Sequence, residues 1–527
     1  MRAKTAKREK MKVSPKLMAI KYISGIVFLC LLFSPGQSLG QSPPALKDYN
    51  VLLITVDCLR PDHIGLYGYR RNTTPNIDRF FQGAAVFQEA IAQAPWTSPS
   101  ILSMLTGLYP AVHAMDVRGK LLDKYFYTPL KQLKENGYYT LGYMTFDNYS
   151  NQGWDEETKK GNLIEILEKH KGEKFFAWQH FRGPHLPYSP PDAFKDVFLK
   201  GPYSISPQKA ELIRTSEKIP KGSVEFDEKD ADFIRDSYDS EVLYQDDQLE
   251  KLFLFLKDSG LLEKTIVVLT ADHGEELLEH GFIGHASTSE AATAFDEVLR
   301  VPLLIRIPGM AFDRPIPGIV QHVHLMPTLF DLLGIKPKYP AQGKSLLPLM
   351  LGKNMNAEDF SLAFVETSYC GWQCPKERIR ERIHALRSRE WKFIEERKAT
   401  ETVYSLYHLS VDPGEKNNLY GKEKEIVKKY QAILSSHQRT NLNMAAALAK
   451  QAAEKHFKES EGLMSRKNYE DAVKELEQVL HLDEIYTQEN PSFTSDPELG
   501  KDWKNVMSRI YELLGRAYSE RAREANK

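Results

Sequence analysis

From residue 51 to 56 the chain reads Val-Leu-Leu-Ile-Thr-Val, an unbroken apolar and β-branched run that stops at Asp57. A strand with one face in water alternates apolar and polar positions, so a continuous run predicts a strand covered on both faces. Similar runs occupy 174–178, 265–270 and 301–307. Between them, helical periods predict helices over 130–136, closed by Gly137, and over 242–256. Strand and helix in alternation predict an α/β fold with a large mixed, mostly parallel sheet flanked by helices. In such sheets ligands gather at the carboxyl ends of strands, and Asp57 and Asp272 each follow one.

The pattern changes near Ser361. Shorter strand-like pieces at 363–366, 382–387 and 391–394, followed by the turn-rich Val411-Asp412-Pro413-Gly414-Glu415, predict a small α+β subdomain over 356–440, after a large α/β unit over 41–355. From about Asn441 the chain turns helical and rich in Ala, Glu and Lys, so an α-helical tail is expected over 441–527. There Leu463, Tyr469, Ala472, Leu476 and Leu480 fall at the spacing of a tetratricopeptide helix pair, and Leu513, Gly515 and Tyr518 look like the opening of another. A helical hairpin packed on the main unit is an equal reading. At the other end, basic residues from Arg2 to Lys16 precede an apolar stretch at 23–33 and the small-residue pattern Ser38-Leu39-Gly40. A membrane-crossing helix needs about 20 apolar residues, so residues 1–40 are expected to be a cleaved export signal, with an uncleaved anchor as the alternative. The expected location is periplasmic or extracellular.

Composition narrows the partners. In 527 residues, 70 Lys and Arg nearly cancel 71 Asp and Glu, and a formal charge of -1 argues against a protein that wraps nucleic acid. Of the four cysteines, Cys30 would leave with the signal. Export would permit a bridge between Cys370 and Cys374, and both read as structural.

Three segments carry candidate chemistry. Asp57, followed by Arg60-Pro61-Asp62, puts a carboxylate at a cleft rim, although a cap or turn role is as simple. Asp272-His273 leaves a second strand end, where carboxylate and imidazole can turn toward one cation and Gly274 lets the backbone bend. Glu275 and Glu276 beyond them are expected to begin a solvated helix, and His180 and His280 to be satisfied histidines near the cleft. In Pro95-Trp96-Thr97-Ser98-Pro99, Ser98 is expected to cap a helix whose first turn holds Pro99. A helix N-terminus favours an anion, which places Thr97 beside an anion cradle.

Taken together these segments resemble the sulfatase branch of the alkaline phosphatase superfamily, from about residue 49 to 430. The matching stretches are Leu53-Ile54-Thr55-Val56-Asp57, Thr74-Pro75-Asn76-Ile77-Asp78, Leu105-Thr106-Gly107-Leu108-Tyr109-Pro110 and Pro184-His185-Leu186-Pro187-Tyr188. Asp272-His273-Gly274-Glu275, Arg300-Val301-Pro302-Leu303, Met326-Pro327-Thr328-Leu329 and Leu406-Tyr407-His408-Leu409 with Asp412-Pro413 continue the order. The resemblance implies that Asp57, Asp272 and His273 bind one divalent cation together with Thr97, which stands at the nucleophile's position. It implies too that His185 and His285 face the substrate. One histidine among oxygen ligands favours Mn, Zn or Mg over Ca. His322 and His324 are available for a second metal, but no Asp-x-x-x-His precedes Asp272, and one metal is expected.

The departures matter as much. Sulfatases oxidise a cysteine or serine in a Cys/Ser-x-Pro/Ala-x-Arg motif to formylglycine, whereas Thr97, Pro99 and Ile101 stand here. A hydrated aldehyde expels sulfate by collapsing to the carbonyl, but a threonyl ester needs attack by water, which favours phosphorus over sulfur. Threonine at this position resembles phosphodiesterases and phosphoglycerol or phosphoethanolamine transferases of the superfamily. Cys58 replaces a second aspartate and His273 an asparagine of the calcium sulfatases, a pattern similar to that of phosphonate monoester hydrolases. Cys58 is expected to be a buried structural thiol rather than a soft ligand. The sulfate-binding Gly-Lys-x-His is missing, and Thr145 and Asn148 are the expected substrate contacts in its place. The expectation is a single-metal hydrolase of a sulfate or phosphate ester carried by a small molecule, glycan or lipid, with a covalent intermediate on Thr97. A transferase to a glycan or lipid alcohol, and a spent binding protein that holds protein partners through its helical tail, are the alternatives.

Overall fold

The structure is a computed structural model that describes residues 46–115, 122–143, 152–158, 162–353, 359–375, 378, 380–489 and 496–525. The expected signal over 1–40 lies outside the described residues, as do Thr145 and Asn148. Among the described residues no helix is long and apolar enough to cross a membrane.

Six strands open the fold: β1 (Asn50–Val56), β2 (Ala85–Ile91), β3 (Tyr139–Tyr143), β4 (Glu156–Thr158), β5 (Phe175–Phe181) and β6 (Thr265–Thr270). The short β7 (Glu276–Leu277) and β8 (Ile283–Gly284) follow, then β9 (Arg300–Val301), β10 (Leu303–Arg306) and β11 (Ile316–Gln321). Nine of these form one sheet in the order β11-β2-β10-β6-β1-β5-β3-β4, with β9 on β2. β1 lies at its centre, parallel to β5 and β6, and is buried throughout, as its unbroken apolar run requires. The run at 301–307 departs from expectation. Pro302 divides it into β9 and β10, and β10 runs antiparallel to both β6 and β2. Proline has no N–H to donate to a ladder, so the strand breaks there, while the Pro302 carbonyl accepts from Thr270 Oγ1 at 2.6 Å.

The helix expected over 242–256 runs over Ala231–Asp258. Its first half hides from a hydrophobic pattern because polar residues are buried there beside Phe233, Ile234 and Tyr238: Asp239 sits between His63 and Arg71, and Asp236 between Arg71 and Tyr203. The small subdomain is an antiparallel sheet, β12 (Leu362–Ser368), β13 (Arg382–Ser388), β14 (Trp391–Arg397) and β15 (Thr402–His408), in that order. Cys370 and Cys374, in the loop after β12, are joined by a disulfide.

A helix over Lys424–Ser465 begins before residue 441 and passes through it without a break. Its first turns pack Val427, Tyr430 and Leu434 on Leu386, Phe393 and Leu406 of the small sheet. Farther on, Ala445, Ala449, Ala452 and Ala453 join the main core, where their small side chains let the helix approach closely. Helices Tyr469–Glu489 and Pro497–Ala525 complete the tail. Tyr486 OH donates to the Val112 carbonyl at 3.1 Å, and Gln342 Nε2 to Asn441 Oδ1 at 2.7 Å. These helices pack on the α/β unit and share its core.

Candidate active site

The parallel register puts Asp57, Asp272 and His180 at one edge of the sheet, because Thr55 lies beside both Thr270 and His180. His180 therefore reaches Asp57, its Nε2 3.6 Å from Oδ2, while its Nδ1 pairs with Thr55 Oγ1 at 2.8 Å. His180, Asp57 and Asp272 offer ligand atoms within 4.8 Å of one another. The strand-end rule that singled out Asp57 applies equally to His180.

Two glycines make the convergence possible. Gly183 (φ +62°) packs so closely that a Cβ there would lie 2.0 Å from the Asp57 carbonyl oxygen, which brings the loop carrying His185 over the strand end. A Cβ on Gly274 would lie 2.0 Å from the Glu297 carbonyl oxygen, so the turn after Asp272 and His273 is pressed against the segment before β9.

Four groups expected to share a cation meet here. His273 Nε2 is 3.5 Å from Asp57 Oδ1, 3.4 Å from Asp272 Oδ2 and 3.4 Å from Thr97 Oγ1. His273 Nδ1 donates to the Gly274 carbonyl at 2.8 Å, a partner that can only accept, which turns Nε2 toward Asp57, Asp272 and Thr97. Asp272 Oδ1 accepts from the backbone of Cys58 and of His273, and its Oδ2 is buried without a hydrogen-bond partner. A buried, unpartnered carboxylate oxygen is unfavourable, and a divalent cation is the partner this donor set suits. Burial works against ionising Asp57, but the imidazoles of His185, His180 and His273 hold its carboxyl far below the usual carboxylate range. Burial, and next the Asp57 carboxylate, raise Asp272.

Thr97 is the first residue of the helix Thr97–Thr106. The expected cap at Ser98 is not what forms: the flanking residue is Trp96, and no side chain caps the first turn. Trp96 is held in extended conformation by Nε1 donating to Thr367 Oγ1 at 2.9 Å, which starts the helix one residue before Ser98. The helix is tied to the turn that carries Asp272 and His273 because Ser100 Oγ donates to the Asp272 carbonyl at 2.5 Å.

His185 and His285 face each other, ring centres 4.9 Å apart and edge-on, beside a cleft of 340 Å³ that Asp57 and Thr97 also line. Trp96 and Trp372 line it, and at its rim Lys218 adds positive charge while Arg182 is paired with Glu217 at 3.0 Å. His185 Nδ1 pairs with the Leu186 carbonyl. His285 Nδ1 is 2.8 Å from Glu275 Oε1, and its buried Nε2 has no hydrogen-bond partner. Burial, then His273 and His185, keep His285 well below the ordinary imidazole value, so it is neutral.

Glu275 and Glu276 correct a sequence expectation. Neither begins a solvated helix; both are fully buried, and Glu276 opens β7. The Gly274 turn carries Glu275 inward onto His285, and burial pushes its carboxyl up to about 7. No spacing in the sequence marks that contact, which depends on β7 pairing with β8. Cys58 is buried, with Sγ donating to Asp57 Oδ1 at 3.2 Å. Burial and the carboxylates of Asp57, Glu275 and Asp272 push its thiol up, which suits a structural thiol. His322 is satisfied between Ser100 Oγ and Thr270 Oγ1, each at 3.2 Å, and His324 Nδ1 pairs with Lys344 N at 2.9 Å.

The Sulfatase family profile matches residues 49–162 and 157–335, and the N-sulphoglucosamine sulphohydrolase C-terminal profile matches 289–440. The chain belongs to the sulfatase family, whose members are metal-dependent ester hydrolases. It is 26% identical over 451 residues to arylsulfatase K of Gallus gallus, covering 73% of this chain and 82% of that protein. The fold is shared with the phosphonate monoester hydrolase of Agrobacterium radiobacter (TM-score 0.57, 21% identity, 76% of this chain and 96% of that one). It is shared as well with a protein solved in complex with its substrate D-glucosamine-2-N,6-O-disulfate (TM-score 0.61, 18% identity, 75% and 98%).

Proposed function

We propose that this chain hydrolyses a sulfate or phosphate ester through a covalent intermediate on Thr97, with phosphoesters favoured because threonine cannot become formylglycine. The observation that carries the reading is the position of Thr97 Oγ1, 3.4 Å from His273 Nε2 and at the floor of the cleft that His185 and His285 flank. Asp57, Asp272, His273 and Thr97 would hold one divalent cation of the Mn, Zn or Mg kind. Such an ion, when bound, lowers the pKa of a coordinated hydroxyl and screens an anionic substrate.

The chain's own groups account for the rest. Thr97 Oγ forms a bond to phosphorus or sulfur as the ester oxygen departs, and the threonine proton passes to water in the cleft. The departing oxygen takes a proton from Nε2 of His185, whose Nδ1 is engaged by the Leu186 carbonyl, while neutral His285, its Nδ1 on Glu275, is set to accept a proton rather than give one. Water then attacks the threonyl ester and gives its proton back to His185, which releases the anion, and the threonyl oxygen regains its proton from water in the cleft. The rim cation Lys218 suits an anionic group, and Trp96 and Trp372 suit a sugar or aryl face. The alternative of transfer to a glycan or lipid alcohol differs only in the second acceptor, and acceptor-dependent turnover identifies it. The disulfide between Cys370 and Cys374 supports export of the mature chain, because such bonds persist in oxidising compartments.

The test is Thr97→Ala beside Thr97→Cys, assayed on an aryl phosphodiester and an aryl sulfate, with mass spectrometry for a trapped adduct. Thr97→Ala is expected to lower kcat by ~10³-fold or more with unchanged thermal stability. Full activity in Thr97→Ala would refute the mechanism.

A further inference from the structure

One buried cluster takes no part in the site above. Glu276, His280 and Glu297 offer three ligand atoms within 4.8 Å of one another. Glu276 is fully buried, and neither of its carboxylate oxygens has a hydrogen-bond partner. Glu297 Oε2 and His280 Nε2 are likewise buried and unpartnered, 3.5 Å apart. Two carboxylates turned on one point are unfavourable unless one of them takes a proton or a positive charge joins them.

Among the described residues no lysine or arginine joins them directly: Lys221 acts on Glu276 only at longer range and sits over the Phe282 ring. Arg60 is the nearby guanidinium, but it is spent on Asp62 at 2.8 Å and on Glu279 at 2.7 Å. Among the described residues no lysine or arginine lies within ion-pair distance of Glu276 or Glu297. The arrangement is built. β7 and β8 form a tight hairpin in which Leu278 N donates to the Phe282 carbonyl at 3.0 Å, and this turn folds His280 back over Glu276. The His280 ring is held by stacking on Phe295, with centres 3.5 Å apart and planes within 4°. Glu297 also lines a cavity of 460 Å³ together with Asp62, Glu89 and Asp296.

We infer that Glu276, His280 and Glu297 form a second cation site that takes a borderline divalent ion such as Zn²⁺. One imidazole nitrogen and two carboxylate oxygens are a donor set suited to zinc, whose fourth position is commonly taken by water. The ion would act on the reaction centre from behind. Gly274 N donates to the Val298 carbonyl at 3.0 Å, so the Glu297 segment is already fastened to the turn that carries Asp272 and His273. Linking Glu297 to Glu276 clamps that turn at both ends. The inference does not depend on what binds at Asp57, Asp272 and His273.

Equilibrium dialysis of the full chain against Zn²⁺, with bound metal read by mass spectrometry, tests it in four proteins: wild type, Asp57→Asn/Asp272→Asn, Glu276→Gln, and the triple variant. Glu276→Gln is expected to remove one equivalent of zinc in either background, and the Asp57→Asn/Asp272→Asn protein to retain that equivalent. Its thermal midpoint should fall on adding EDTA, and this response should vanish in the triple variant. Glu297→Gln, at a less buried position, should reproduce the loss if Glu276→Gln folds poorly. If wild type binds a single equivalent and Glu276→Gln removes it, the second site stands and the metal reading of the first fails. If the Asp57→Asn/Asp272→Asn protein binds no zinc, or binds as much with Glu276→Gln as without it, the inference is overturned.

Discussion

His285 and His456 are both fully buried imidazoles beside carboxylates, yet they are set up for opposite tasks. His456, in the first tail helix, uses both nitrogens: Nε2 lies 2.8 Å from Asp123 of the α/β unit and Nδ1 lies 2.7 Å from Glu475 of the next helix. His285 uses one, its Nδ1 on Glu275, and leaves Nε2 unpartnered beside the cleft. A histidine engaged on both sides can only hold its neighbours together, whereas one oriented by a single partner can still exchange a proton. The type of residue is the same, and the number of partners separates a fastener from a reacting group.

Breaking the fastener should give the largest effect on stability. His456→Ala leaves Asp123 and Glu475 without their shared partner, and urea unfolding is expected to show a loss of about 3–5 kcal/mol, with kcat per folded molecule unchanged. A fall in kcat without loss of stability would mean that the tail serves the cleft and not the fold.

The same junction predicts a pH dependence. Glu366 is buried, and although burial alone would raise its carboxyl, His437 and His384 and the Ala111 N–H hold it down at about 2. A carboxyl lowered on folding stabilises the native state above its unfolded pKa and stops doing so as pH falls through the folded value. Stability should therefore decline between about pH 5 and pH 2, by at most ~3 kcal/mol from this group, and Glu366→Gln should flatten that part of the curve. An unchanged curve in Glu366→Gln would show that other carboxyls govern acid unfolding.

Sharpening the other side of the comparison involves the smallest change. Glu275→Gln preserves shape but replaces the charge-capable partner of His285 Nδ1, and kcat is expected to fall by ~10–100-fold with KM and thermal midpoint nearly unchanged. A rise in KM alone would assign Glu275 to substrate binding.

Much of this site was legible before any coordinates. Asp57, Asp272 and His273 announce themselves because each follows a run of apolar residues, and a strand end in a parallel sheet is a local feature. His185, His285 and Thr97 came from resemblance, and the fold brings all six together. Where the reading failed, it failed for want of long-range information. Glu275 and Glu276 look solvated because charged pairs usually are, and nothing nearby in sequence shows the hairpin that buries them. The polar half of the helix Ala231–Asp258 was missed because its ion pairs reach back to His63 and Arg71, more than 150 residues away.

The sequence by itself determined the layered α/β architecture, the central strand and the donors at its end, because apolar periodicity and strand termini are properties of adjacent residues. Only the tertiary structure decided which buried titratable groups have hydrogen-bond partners: His456 on both nitrogens, His285 on one, and Glu276 on neither oxygen. A buried charge depends on its environment through desolvation and on neighbours within a few ångströms, and those neighbours come from distant parts of the chain.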